Sequence, residues 1–144
     1  MPDLRVRALQ LLTRREYSRA ALKAKLAAHA ESEEELNAVL DSLQAERLLS
    51  DQRYAAERVA ARGARYGNAR LRQELRQQGI GDDEIAAALP EAGDEGARCR
   101  QVWQRKFTHL PDSPAERARQ QRFLHYRGFS SAAIRCVLRG DDES

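Results

Sequence analysis

The sequence predicts an all-α chain of three tandem three-helix repeats, stacked into an elongated, curved, solenoid-like body. Three observations carry that prediction. Apolar residues recur at one step: Leu26, Leu75 and Leu124 stand 49 residues apart, and Leu36, Ile85 and Ile134, then Leu40, Leu89 and Leu138, keep the same interval. Ala30, Gly79 and Gly128 fall in register between them, where a helix closing on a left-handed residue wants a small side chain. Aromatic residues make up only 6% of the chain, and its four prolines, Pro2, Pro90, Pro111 and Pro114, lie outside the strongly periodic stretches. Finally, Ser or Asp precedes most of the periodic segments, as N-caps do. A period of this length marks stacked supersecondary units, each covering its neighbour's apolar face and leaving a long outer surface for a partner.

The elements follow in order. Leu4, Ala8, Leu11, Leu12 and Arg15 keep helical spacing, with Pro2 tolerated at the start because an early helical N–H has no partner anyway. Ser18 caps a second helix carrying Leu22 and Leu26, and Ser32 with Glu35 forms a capping box for a third carrying Leu36, Val39, Leu40 and Leu43. Ser50 and Asp51 open the next unit, with helices near 51–64, 68–78 and 82–89 separated by Gly67-Asn68 and Gly79-Ile80-Gly81 and stopped by Pro90. Tyr17 and Tyr66 also obey the step. In the third unit Asp94 opens a helix with Cys99, Trp103, Phe107 and Leu110 on one face, where Trp103 and Phe107 read as core. Ser113, Pro114 and Glu116 form a second capping box, Gly128 ends that helix, Phe129 staples the turn, and Ser130 caps the last helix. The expected repeats are 1–49, 50–92 and 93–140, followed by an acidic tail at 141–144. Each unit is near the size at which a lone core becomes marginal, so the three should depend on one another.

Composition narrows the function classes. Cys99 and Cys136 form no Cys-x-x-Cys pair and share no helical spacing with His29, His109 or His125, so neither a metal site, a cofactor nor a disulfide is expected. No apolar run approaches the roughly 20 residues that span a bilayer, and no signal peptide opens the chain, so a cytoplasmic protein with no membrane contact is expected. Nothing resembles a nucleophile–base grouping, a phosphate-cradling glycine loop or a buried carboxylate pair, so no enzyme is expected.

Net charge is only +3, but its distribution is uneven. Residues 1–50 hold eight basic and eight acidic side chains, whereas from Arg98 to Arg139 ten basic residues meet only Asp112 and Glu116. Such a block concentrates polyanions and binds phosphates in a salt-dependent way. Helix, glycine turn, helix also describes a DNA-reading motif, yet the third helices of the first two repeats begin with Glu31, Glu33, Glu34 and Glu35 and with Asp82, Asp83 and Glu84, which would repel phosphates. Only the final helix, with Arg135 and Arg139 one turn apart, fits a groove or phosphate contact. Elsewhere the positive charge sits on the middle helices: Lys23 and Lys25, then Arg70, Arg72 and Arg76, then Arg117, Arg119, Arg122 and Arg127. Arg72 and Arg76 flank the Leu71 and Leu75 stripe, and Arg119, Arg122 and Tyr126 point away from Leu124. Pairing of Arg70 with Glu74 is the simplest competing use of one of them. Arg70, Arg72, Arg76, Arg119, Arg122, Arg127, Arg135 and Arg139 are the candidate contacts to DNA or to an acidic protein surface.

The stretch LSDQRYAAERVAARGARYGNARLRQELRQQGI, Leu49 to Ile80, closely resembles the centre of the RecX regulatory proteins, as does QRFLHYRGFS, Gln121 to Ser130. The opening ALQLLTRREYSRAALKAKL, Ala8 to Leu26, looks like that family's first helix pair, so the likeness spans nearly the whole chain. One departure is visible. The family usually places Gly-Tyr-Gly-Pro before its middle helix, where this chain has Arg65, Tyr66, Gly67 and Asn68, with Asn68 expected to cap in place of proline. The resemblance implies a non-enzymatic modulator of the RecA recombinase, lying along the groove of the RecA filament on DNA and restraining filament growth, strand exchange and co-protease activity. It implies RecA as partner, with weak, salt-dependent DNA contact, and a monomeric chain is expected. A RecA-independent helical DNA-binding module is the alternative that the basic third repeat leaves open.

Overall fold

The computed structural model describes residues 3–140. Nine α-helices lie among them: α1 Leu4–Leu12, α2 Arg19–Leu26, α3 Glu33–Ala45, α4 Asp51–Arg62, α5 Asn68–Gln77, α6 Asp82–Ala88, α7 Glu95–Lys106, α8 Pro114–Tyr126 and α9 Ser131–Leu138. Short 3-10 turns, Ala27–His29 and Leu89–Ala92, follow α2 and α6. The helices group three to a repeat. Pro2 and the acidic tail at 141–144 fall outside the described residues.

Side-chain caps set most of the starts. Asp3, Ser18, Ser32, Ser50, Asp94, Ser113 and Ser130 each accept the amide three residues on, satisfying one of the four donors a helix start leaves open. The two expected capping boxes close differently. Glu35 accepts the Glu31 amide rather than that of Ser32 (2.9 Å), and Glu116 turns to Arg119 and Gln120. Three further expectations are corrected. Ala30 is extended (φ −86°, ψ 143°), because the 3-10 turn already closes α2, whereas Gly79 (φ +79°) and Gly128 (φ +92°) are left-handed as anticipated. The first helix of the third repeat stops at Lys106, so Leu110 leaves its face and is exposed. Phe107 turns into extended backbone to meet Phe123 edge-on, with centroids 5.5 Å apart. Asn68 does not cap: it is the first residue of α5, behind Gly67.

Each repeat has its own core. Leu22, Leu26, Leu36, Leu40 and Leu43 centre the first; Tyr54, Val59, Leu71, Leu75 and Ile85 the second; Cys99, Val102, Leu124, Ile134 and Leu138 the third. The main helix packing stays within repeats, notably α4 on α6 and α7 on α9. The anticipated sharing of apolar faces between neighbours is therefore not how the repeats join.

They join through polar, near-backbone contacts, built twice on one plan. Arg19, first residue of α2, donates its amide to Asp51, first residue of α4 (2.7 Å); Asn68, first residue of α5, donates its amide to Glu95, first residue of α7 (2.9 Å). In each case an acid opening one repeat caps the middle helix of the repeat before it. The left-handed glycine of the later repeat abuts the same helix start. A Cβ on Gly79 would lie 2.5 Å from Ala20 Cβ, and one on Gly128 2.3 Å from Arg70 Cβ, so neither position admits a side chain without movement. The second joint adds backbone bonds, from the Gly67 amide to the Arg127 carbonyl (2.8 Å) and from the Ala69 amide to the Gly128 carbonyl (3.1 Å).

Candidate partner interface

Two of the eight candidate arginines, Arg70 and Arg127, are held in polar and aromatic clusters. In the second repeat, Glu74 on α5 is the anion at the centre of three cations: Arg62 binds it through Nε (2.6 Å) and a second nitrogen (2.9 Å), Arg70 lies at 3.3 Å and Arg58 at 3.7 Å. Burial pushes the Glu74 carboxyl upward, but the Arg62 hydrogen bonds and the charges of Arg62, Arg58 and Arg70 outweigh it and hold the group below its ordinary range. Arg62, Arg70 and Arg127 all lie over the Tyr66 ring, at 4.6, 4.6 and 5.5 Å from its centroid. Two of the candidates, Arg70 from α5 and Arg127 from the end of α8, thus meet on one aromatic ring at the second joint. Both are half-buried there rather than outward-facing.

The remaining candidates are more open. Arg76 is exposed, 3.3 Å from Asp82 across the α5–α6 turn. Arg119 is exposed but held by Glu116 (2.8 Å) and lies 5.1 Å from the Phe107 centroid. That partnership draws the Glu116 carboxyl down to about 2, through the hydrogen bonds from Arg119 and Gln120. Arg135 and Arg139 are exposed on and after α9, with Arg139 reaching Cys136 Sγ at 3.6 Å. Half-buried Arg72, exposed Arg122 and Arg135 have no ion pair with a described residue. Tyr126, one turn beyond Arg122, is 77% exposed, the most open large hydrophobic of the described residues.

One member of the cationic block is structural. Arg98 is buried, donating to the carbonyls of Gly63 (3.1 Å), Tyr66 (2.7 Å) and Gly93 (3.2 Å) and to Asn68 Oδ1. It clamps the α4–α5 connector onto α7. Trp103 likewise is committed to structure, its indole N–H donating to buried Gln120 (2.8 Å). Sequence reasoning missed the Arg58–Arg62–Glu74 cluster as well. The signal available was a set of arginines at 58 and 62, one helical turn apart, facing a lone Glu on the next helix.

Among the described residues no group of three or more His, Cys, Asp or Glu could hold a metal ion, and no helix is long and apolar enough to cross a membrane. What the fold and its surface define is a tandem helical scaffold with arginine-rich exposed faces, the build of a protein that works by binding. The models of the second and third three-helix domains of RecX match residues 50–89 and 94–138. RecX regulatory proteins of Chromobacterium violaceum (47% identical, 98% of this chain, 93% of the relative) and Ralstonia nicotianae (48%, 97% and 89%) align over nearly its whole length. The chain belongs to the RecX family of regulatory proteins. A crystal structure of regulatory protein RecX superposes with a TM-score of 0.79 at 26% identity, covering 93% of this chain and 70% of that one. RecX from Lactobacillus salivarius, at 19% identity, shares the fold with a TM-score of 0.86 over 96% of this chain and 94% of that one.

Proposed function

We propose that this chain binds RecA nucleoprotein filaments and restrains their growth, strand exchange and co-protease activity, and so tempers recombinational repair and the SOS response. The observation that carries the reading is membership of the RecX family over nearly the full length, at 47% identity to one relative. The physical case is consistent with it. Separate cores joined by polar hinges give a body whose repeats, at 1–49, 50–92 and 93–140, act as linked binding units. Several individually weak contacts along a polymer then add to strong restraint. Arg72, Arg76, Arg119, Arg122, Arg135 and Arg139 are the side chains offered to acidic recombinase surface or to DNA, while Arg70 and Arg127 pack over Tyr66 at the second joint. The protein acts as a cytoplasmic monomer, without catalysis or cofactor.

The test is RecA's DNA-dependent ATPase and filament length, measured with substoichiometric amounts of this protein. Slower turnover and shorter filaments are expected; no effect on the cognate recombinase would remove the reading. The basic third repeat favours one alternative, a DNA-binding module independent of RecA. That alternative requires tight, sequence-specific binding by the protein alone at physiological salt, whereas weak and salt-sensitive binding accords with the filament reading.

A further inference from the structure

We propose that the joint between the second and third repeats carries a phosphate-binding cup whose ligand is the phosphodiester backbone of a nucleic acid. The proposal rests on the reading that this chain works on a DNA-bound filament. Arg65 from the α4–α5 connector, Arg105 and Lys106 from the last turn of α7, and Arg127 from the end of α8 line a cavity of about 210 Å³ over Val102 and Phe123. No carboxylate lines it, and none of the four cations forms an ion pair with a described residue.

The cations are tethered without being neutralised. Arg105 donates to the Ala64 carbonyl (3.2 Å) and Arg127 to the Arg65 carbonyl (3.3 Å), both across the joint. Lys106 Nζ and the Arg127 guanidinium lie 5.4 and 5.2 Å from the Phe123 centroid. The ends of α7 and α8 bring roughly half a negative charge each, which offsets only part of four full positive charges. Like charges gathered on a partly apolar floor repel one another, and a bound anion relieves that repulsion.

The surroundings select a chain of phosphates over a single carboxylate. Arg65 also lines an adjoining cavity of about 390 Å³ together with Arg15, Arg58 and Arg62. Of the two acids there, Glu16 is taken by Arg53, leaving Glu57, and Arg58 and Arg62 share Glu74 with Arg70, so the cations still outnumber the carboxylates they face. Positive charge therefore continues from the cup along the second repeat towards the first, at a scale that successive phosphates can follow and a lone anion cannot.

The test measures binding of a fluorescein-labelled single-stranded oligonucleotide to the intact protein by anisotropy across a salt series, without recombinase. The double variant Arg105→Gln/Lys106→Gln should weaken binding roughly tenfold at low salt and make the salt slope shallower by about 1–2. Arg7→Gln/Arg14→Gln, an equal charge loss in the first repeat, should have far less effect. Because Arg105 touches the joint, thermal melting and the charge-preserving Arg105→Lys/Lys106→Arg variant accompany it; that variant should melt like the parent and keep most of the affinity. Equal losses from both glutamine pairs, or none from the joint pair, would overturn the cup. Displacement of the oligonucleotide by inorganic pyrophosphate at matched ionic strength would overturn the nucleic-acid assignment in favour of a small phosphate ligand. Oligonucleotide binding through the cup by a protein that leaves RecA's ATPase untouched would sink the filament reading while upholding this one. Filament restraint by the parent protein, together with unaltered oligonucleotide affinity in the Arg105→Gln/Lys106→Gln variant, would do the reverse.

Discussion

Arg98 shows how charge in a sequence and charge on a surface part company. It looks like one more member of a basic block, yet it is buried, and burial lowers its pKa against the opposing pull of Glu95 and Asp94. Three backbone carbonyls and the Asn68 side chain accept its hydrogen bonds. Removing it leaves those acceptors without donors in a water-poor joint, so Arg98→Ala should cost about 3 kcal/mol of stability by urea denaturation. Arg98→Lys should recover little, since an ammonium cannot spread donors across four acceptors. Glu74 gives the complementary case. Because its folded pKa lies below the ordinary carboxylate value, its stabilising contribution is complete above about pH 4.3 and fades as pH falls through the lower folded value. Glu74→Gln should therefore destabilise by about 2 kcal/mol at pH 7, with the gap to the parent closing on acidification. A gap that stays constant from pH 7 to pH 3 would mean that Glu74 works by shape alone. The Arg70–Glu74 pair was legible from its one-turn spacing, but the Arg98 role was not, because a buried and an exposed arginine have the same spacing and only the approach of a distant loop separates them.

At the scale of elements, much was legible. The 49-residue step survives because each repeat must close its own core, and Leu26, Leu75 and Leu124 are all buried at equivalent sites. The starts of α3, α6 and α9 keep the same interval, and Ser18, Ser32, Ser50, Asp94, Ser113 and Ser130 cap as their positions suggest. The joints were not legible. Asp51 and Glu95 do the same work but stand 44 residues apart, because α8 is longer than α5 and so is the connector before it, which sets α7 five residues further ahead of α9 than α4 is of α6. A search at a single period passes over them. Their equivalence makes a quantitative expectation: Asp51→Asn and Glu95→Gln should each lose about 1 kcal/mol, the charge-assisted part of capping a helix amide. The double variant should lose the sum, since the two joints share no partner. Calorimetric melting of the four proteins checks this, and strong non-additivity would show that the joints communicate.

Taken as a whole, the molecule is three small cores strung on two polar joints, and cooperativity between them rests on few groups. In stacked repeats of this kind, stability is approximately a sum of unit terms and neighbour terms, and local opening follows the weakest interface. The second joint carries more than the first: the Glu95 cap, the Arg98 clamp and the two backbone bonds linking Gly67 and Ala69 to Arg127 and Gly128. Native-state hydrogen exchange separates the two. Arg98→Ala should lower amide protection across α5 and α7 by about the full loss of global stability, whereas amides of α3 around Leu40 and Leu43 should keep most of theirs. Uniform loss across all nine helices would instead mean that the chain opens as one unit. Such a chain would be too stiff to fit its repeats one at a time to a polymer, and the linked-unit picture of binding would have to be replaced by rigid docking.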